Sequence, residues 1–251
     1  MKELIINADD FGLTKGCSKG IIKALKEGVL TNTTVMINMP EALNAIEIAK
    51  KNGIKEMGLH LTLTCGQPVS KKEKVSSLVD ECGKFYKRRN QLFSKMKLEE
   101  ARIELENQIN AFLSTGLKLT HLDSHHHIHM YDGMREIVAA IAKKYAVSLR
   151  CPNEETKKYL LKNGIKTTDY FSMDFYGENA SIENLKKIIT KFPEGIIEIM
   201  THPAYVDDDL INISSYSTDR EKELEILTSD ELKKWLKDKE IELISFGELR
   251  D

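Results

Sequence analysis

The stretch THLDSHHHIHMYDG, Thr120 to Gly133, puts His125, His126, His127 and His129 into five positions of a chain with seven histidines. Imidazole binds metals and moves protons near neutral pH. A His-rich tract alone does not separate those uses from a storage run or a polar loop. Partners elsewhere decide, and the chain supplies Asp9 and Asp10 in NADDFG, His60 in GLHLTL and His202 in THPAY. One Asp and two His form a facial set for a divalent ion, with positions left open for water and substrate. Such an ion polarises a carbonyl and lowers the pKa of water toward ~7. A spare carboxylate could then take a proton, and a spare imidazole could give one to a leaving group.

These residues end apolar runs that read as strands. Adjacent carboxylates in a continuing strand point to opposite faces. Asp9 and Asp10 therefore address one site only if the first strand stops there, as DDFG with Gly12 suggests. His60 alternates with Leu59 and Leu61, which take the helix-facing side. In LKLTHLDSH the period of two puts His121, Asp123 and His125 on one face, with Leu122 and Ser124 on the other. His125 comes last, nearest the mouth. His126, His127 and His129 fall on the following loop or first helical turn, as substrate contacts, support for a ligand, or solvated groups. His202 precedes Pro203, which favours an extended conformation. Arg150, ending a fifth strand, could bond a site carboxylate or form a surface salt bridge.

The elements that must position these groups alternate. Strand-like ELIINA, TTVMIN, MGLHLTL, LKLTHLDSH, VSLRC, DYFSM, GIIEIMTH and IELISF are nearly all separated by amphipathic helical runs. Residues 64–95 have no clear period and read as a substrate-covering loop or small insertion. Thr228 and Glu231 suggest a capping box before the last helix. No G-x-G-x-x-G follows the first strand and no P-loop motif occurs, so dinucleotide and P-loop readings lose their support. The expectation is an α/β fold, a TIM-like (β/α) barrel with room for distortion, forming one catalytic domain over residues 1–251. In such a barrel the C-terminal strand ends build the site. Four strands deliver acidic or imidazole groups to that end.

A hydrophobic fraction of 41% suffices for a core, and 37 basic against 39 acidic residues give a net charge of -2. That balance gives no reason to expect nucleic acid or an anionic membrane as partner. The N-terminus lacks a signal-peptide pattern, and no apolar run approaches the ~18 residues of a membrane span. Cys17, Cys65, Cys82 and Cys151 are scattered, as expected for reduced thiols in a cytoplasmic protein.

NADDFG, GLHLTL, THLDSHHHIHM and THPAY, in this order across nearly the whole chain, resemble the YdjC-like carbohydrate deacetylases, a family that includes chitooligosaccharide deacetylases. The resemblance implies a barrel-like fold and metal-dependent removal of an N-acetyl group from an amino sugar or short oligosaccharide. It makes Asp10, His60 and His125 ligands of one divalent ion, magnesium or zinc. By analogy with related polysaccharide deacetylases it makes Asp9 the general base. His202 is its best candidate for the general acid. Asp123, His127, His129, Arg150 and Tyr205 remain as substrate-binding or supporting residues. Family members are often dimeric, so a homodimer is a candidate assembly. Two other readings stay open at this stage. One keeps the metal but cleaves a phosphoester or glycosidic bond, and the other is a non-catalytic metal- or sugar-binding protein.

Overall fold

The computed structural model describes residues 2–249. Among them eight strands and ten α-helices follow one another along the chain. The first half contains β1 (Lys2–Phe11), α1 (Lys15–Glu27), β2 (Asn32–Val35), α2 (Ala42–Lys51), β3 (Glu56–Leu61), α3 (Arg89–Lys95), α4 (Leu98–Leu113) and β4 (Lys118–Ser124). The second contains α5 (Met134–Lys144), β5 (Ser148–Leu149), α6 (Glu154–Lys162), β6 (Tyr170–Ser172), α7 (Ile182–Lys191), β7 (Gly195–Thr201), α8 (Asp208–Ile213), α9 (Asp219–Thr228), α10 (Asp230–Asp238) and β8 (Glu242–Leu243). All strand ladders are parallel, in the order β5-β4-β3-β2-β1-β7-β6, with β8 pairing Glu3 and Leu4 of β1.

Alternation along β1 sorts the layers. Leu4, Ile6 and Ala8 face the helices in the main apolar core, whereas Ile5 packs inside with Ile244, Phe246 and Leu249. Asn7 and Asp9 continue that inner face. The sheet is strongly curled. In a flat sheet, β5 and β7 would stand roughly 24 Å apart at ~4.8 Å per strand. Yet Arg150, just after β5, reaches Glu198 of β7 at 2.7 Å. The barrel expected with room for distortion is present in distorted form, an open half-barrel and not a full TIM barrel. No ladder joins β5 to β6 among the described residues, although Leu149 N–H donates to Lys166 O at 3.0 Å.

Other local expectations shift as well. Residues 64–95 contain 3₁₀ turns, a Val79–Phe85 bridge and α3. The expected capping box at Thr228 and Glu231 is replaced by a simple N-cap one residue later. Ser229 caps α10 by accepting from Leu232 N–H, while Thr228 turns its hydroxyl back to Leu224 O. All four cysteines are unpaired. No helix among the described residues is long and apolar enough to cross a membrane.

Candidate metal centre and active site

β1 does not stop at the acidic pair, contrary to the expectation from DDFG. It continues to Phe11 with a register shift between Ala8 and Phe11, and Asp10 takes φ 66. A left-handed residue in a bulge adds one position to the strand and re-aims its side chains. Asp9 therefore stays on the inner face, and Asp10 is turned to the same site. The conformation costs roughly 1–2 kcal/mol for a residue other than glycine, and Asp tolerates it better than most.

Three donor atoms converge at Asp10. Its Oδ1 lies 3.4 Å from His60 Nε2 and 3.1 Å from His125 Nδ1, and the three donors all fall within 4.8 Å of one another. Bonds of ~2.1 Å at angles between 90° and 109° set neighbouring donors about 3.0–3.4 Å apart. The Asp/His/His set thus fits one divalent ion. Asp9, His60 and Asp123 form a second acidic group. Arg150 disqualifies it, because its guanidinium lies 2.7 Å from Asp9 and 3.0 Å from Asp123, where a cation would be repelled.

Supporting residues fix these ligands. His60 and Asp123 are paired across β3 and β4, and Asp123 Oδ1 takes His60 Nδ1 at 2.7 Å. That leaves Nε2 toward Asp10 and orients the ring, as a carboxylate commonly does behind a metal-binding histidine. Burial alone would depress His60, but the charges of Asp123 and Asp9 raise its pKa to about 10. His121 lies deeper, 3.1 Å from Asn7 Oδ1 and stacked on Phe246. Gly58 makes room for that ring, since a Cβ there would lie 2.4 Å from His121.

Arg150 is completely buried and holds three carboxylates. Its Nη atoms donate to both oxygens of Asp9 at 2.7 Å, Nη1 also approaches Asp123, and Nε donates to Glu198. Burial alone would raise Asp9, yet Arg150 holds its carboxyl well below the usual range. Asn7 donates to Asp9 Oδ1 at 2.9 Å. A carboxylate offers about four lone-pair sites, so one remains on Asp9. Burial pushes Glu198 up to about 7 against the opposing charge of Arg150.

The outer wall comes from α9, where Arg220 and Glu223 share a face at i,i+3. Arg220 donates to Asp10 Oδ2 at 2.7 Å, which leaves Oδ1 for an ion. Glu223 accepts the backbone N–H of His202 at 2.5 Å and the hydroxyl of Tyr216. His202 adjoins Asp9 because Thr201 pairs with Ala8. Burial and the Arg220 charge push His202 down to about 3, so its imidazole is neutral at working pH, and its Nδ1 has no hydrogen-bond partner.

The remaining histidines divide by geometry. After Ser124 the chain makes a 3₁₀ turn, His125–Met130, with left-handed backbone at His126 and His127. His126 contacts Thr64 at 2.9 Å, and its carbonyl accepts from Arg89 of α3. Residues 64–95 therefore grip the turn at two points. His127 keeps an unpartnered Nδ1 beside Phe171. His129 is buried and clamps the turn to Ser124. Tyr205 stays apart from the cluster and lines an open surface cavity of about 650 Å³ with Lys15, Lys19 and Asp207.

Asn7, Glu198, Arg220 and Glu223 were not singled out in the sequence. Two of them carry a legible signal: Glu198 interrupts the apolar run GIIEIM, and Asn7 shares the inner parity of Asp9. Arg220 and Glu223 sit among other charged residues of a helix with nothing to distinguish them.

Residues 3–238 match the family model described as YdjC-like protein. A carbohydrate deacetylase of Thermoanaerobacter pseudethanolicus is 41% identical over 250 residues, covering 100% of both chains. A carbohydrate deacetylase of Brevibacillus brevis is 42% identical, covering 98% of this chain and 99% of its own. A solved protein of Enterococcus faecalis, described provisionally as a cellobiose-phosphate cleavage protein, superposes with TM-score 0.94 at 38% identity over 100% and 99% of the two chains. A family 4 carbohydrate esterase of Streptomyces lividans, solved with acetate, shares the fold with TM-score 0.53 at 12% identity over 97% and 91%.

Proposed function

The chain belongs to the YdjC-like protein family, and we propose that it is a metal-dependent carbohydrate deacetylase. It hydrolyses the N-acetyl group of an amino sugar or short chitooligosaccharide, giving acetate and a free amine, in the cytoplasm. The observation that carries the reading is the convergence of Asp10 Oδ1, His60 Nε2 and His125 Nδ1 in a chain whose full-length relatives are named carbohydrate deacetylases. These three residues would hold one divalent ion, zinc or magnesium. The imidazoles favour zinc, although cellular availability can override affinity. When bound, the ion supplies Lewis-acid polarisation of the acetyl carbonyl.

The chain's own groups move the protons. Asp9, kept ionised and aimed by Arg150 and Asn7, uses its remaining lone pair to take the proton of the attacking water. His202, beside it at the end of β7 and neutral at rest, takes that proton on from Asp9 and delivers it to the departing amine. Arg150 holds Asp9 in place but lowers its basicity. A second reading exchanges these duties, because His202 is neutral and could accept first and donate afterwards. Asp9→Asn separates the two. With Asp9 as base it abolishes acetate release at every pH while leaving ion content unchanged. With His202 as base it leaves measurable release that His202→Ala removes.

Residues 64–95, held to the histidine turn through Thr64 and Arg89, close over the sugar in this proposal. The provisional description of the Enterococcus relative keeps phosphorylated and β-linked sugars among the test compounds. A mass-spectrometric screen of N-acetylated mono- and disaccharides with metal-reconstituted protein tests the reading. Loss of one acetyl group supports it. Release of phosphate or reducing sugar without acetate refutes it.

A further inference from the structure

Beside His202 the chain presents an aromatic surface that proton transfer does not use. Tyr176 follows β6, and so lies at the same end of the sheet as His202 after β7. Its ring stacks on Tyr216 with centroids 3.9 Å apart and planes at 22°. It stands edge-to-face with His202 at 5.7 Å and 79°. Tyr216 is itself fixed, donating its hydroxyl to Glu223 and accepting from Gly177 N–H at 3.0 Å. One face of Tyr176 is thus occupied and oriented. The residue is nevertheless 44% exposed, which leaves its other face open.

A group that exchanges a proton with His202 must approach a ring nitrogen within about 3 Å. His202 is only 9% exposed and its Nδ1 is buried, so the bound molecule must come to the other ring nitrogen and has little choice of approach. A pyranose whose nitrogen reaches that imidazole extends its ring into the space next to it, where the open face of Tyr176 stands. Gluco-configured pyranoses carry equatorial hydroxyls and show a face of C–H groups. That face complements the negative face of an aromatic ring.

Resting on the carbohydrate reading, we propose that Tyr176, backed by Tyr216, is a stacking platform for the gluco-configured pyranose ring that bears the reacting acetamide. It is a binding residue, and the bond-breaking groups act without it.

The test measures acetate release from N,N′-diacetylchitobiose by wild-type, Tyr176→Phe and Tyr176→Ala proteins, with thermal unfolding as a folding control. Tyr176→Phe retains the ring and stays near wild type. Tyr176→Ala raises KM about tenfold with kcat within about threefold, because binding is lost and the chemical step is not. An unchanged KM in Tyr176→Ala, or a loss confined to kcat, overturns the platform while the deacetylase reading stands. If wild type releases no acetate, the deacetylase reading fails by itself, and saturation-transfer NMR decides the platform. Transfer to the ring C–H protons of diacetylchitobiose in wild type, lost in Tyr176→Ala, supports it; absence of transfer in wild type overturns it.

Discussion

Replacing Arg150 by methionine keeps much of the side-chain volume and removes the cation shared by Asp9, Asp123 and Glu198. All four residues are buried, so water cannot replace it. Removing one partner of a buried pair costs roughly 3–5 kcal/mol. For a chain of this size that corresponds to a fall in Tm of about 10 °C. The loss has a definite pH signature. Without Arg150, burial holds the orphaned carboxyls above their unfolded values, so the variant is most stable when they are protonated. Acids with raised folded pKa contribute stability below the unfolded pKa and lose it as pH rises through the folded one. Each proton that must be taken up costs about 1.4 kcal/mol per pH unit above the unfolded value. In wild type Asp9 has the opposite shift, depressed by Arg150, and its contribution is lost only as pH falls below the ordinary carboxylate range. Glu198 titrates near 7 in wild type and adds a shallow slope of its own. The gap between the proteins should therefore be about 10 °C at pH 8 and fall to less than half of that at pH 5. Scanning calorimetry of chelator-treated protein measures it. A gap that is equal at both pH values, or that widens in acid, would refute the assignment of Arg150 as the cation holding these charges.

Gly58→Ala sets a methyl 2.4 Å from the His121 ring and should destabilise by about 1–3 kcal/mol in urea unfolding, whereas an unchanged midpoint would show that the ring has room. Asp123→Asn preserves shape but removes the charge behind His60, and calorimetry should find zinc binding roughly 10- to 100-fold weaker. An unaltered affinity would remove Asp123 from the centre. Long-range ¹H–¹⁵N spectra of chelator-treated protein should show His60 as imidazolium at pH 8 and His202 and His127 as neutral rings at pH 5. The reverse pattern would contradict the electrostatics derived from Arg220, Arg150 and the buried carboxylates.

Much of the site was legible because strand parity is a local property. The period of two put Asp123 and His125 on one face, strand ends added Asp9, Asp10 and His60 without knowledge of any contact, and the geometry brings them together. Parity did not foresee the left-handed bulge at Asp10, where neither glycine nor proline marks the turn; Gly12 drew attention two residues too late. Closure of the sheet was illegible for another reason. VSLRC and DYFSM read as strands, but the ladders at β5 and β6 cover only two and three residues, and whether they pair depends on the whole sheet's curvature. Arg220 is the clearest omission. Its partner Asp10 lies 210 positions away, and a charged residue on a charged helix carries no sign that it turns inward.

In the proposed enzyme Asp10, His60 and His125 hold one ion at the point where an acetamide is cut. Metal content and acetate release from diacetylchitobiose, measured on the same preparations of wild type and His60→Ala, test it most directly. Wild type should hold one tight zinc equivalent per chain and form acetate and free amine in equal amounts, and His60→Ala should lose both the metal and the turnover. Full turnover by a His60→Ala protein that retains no metal would contradict it.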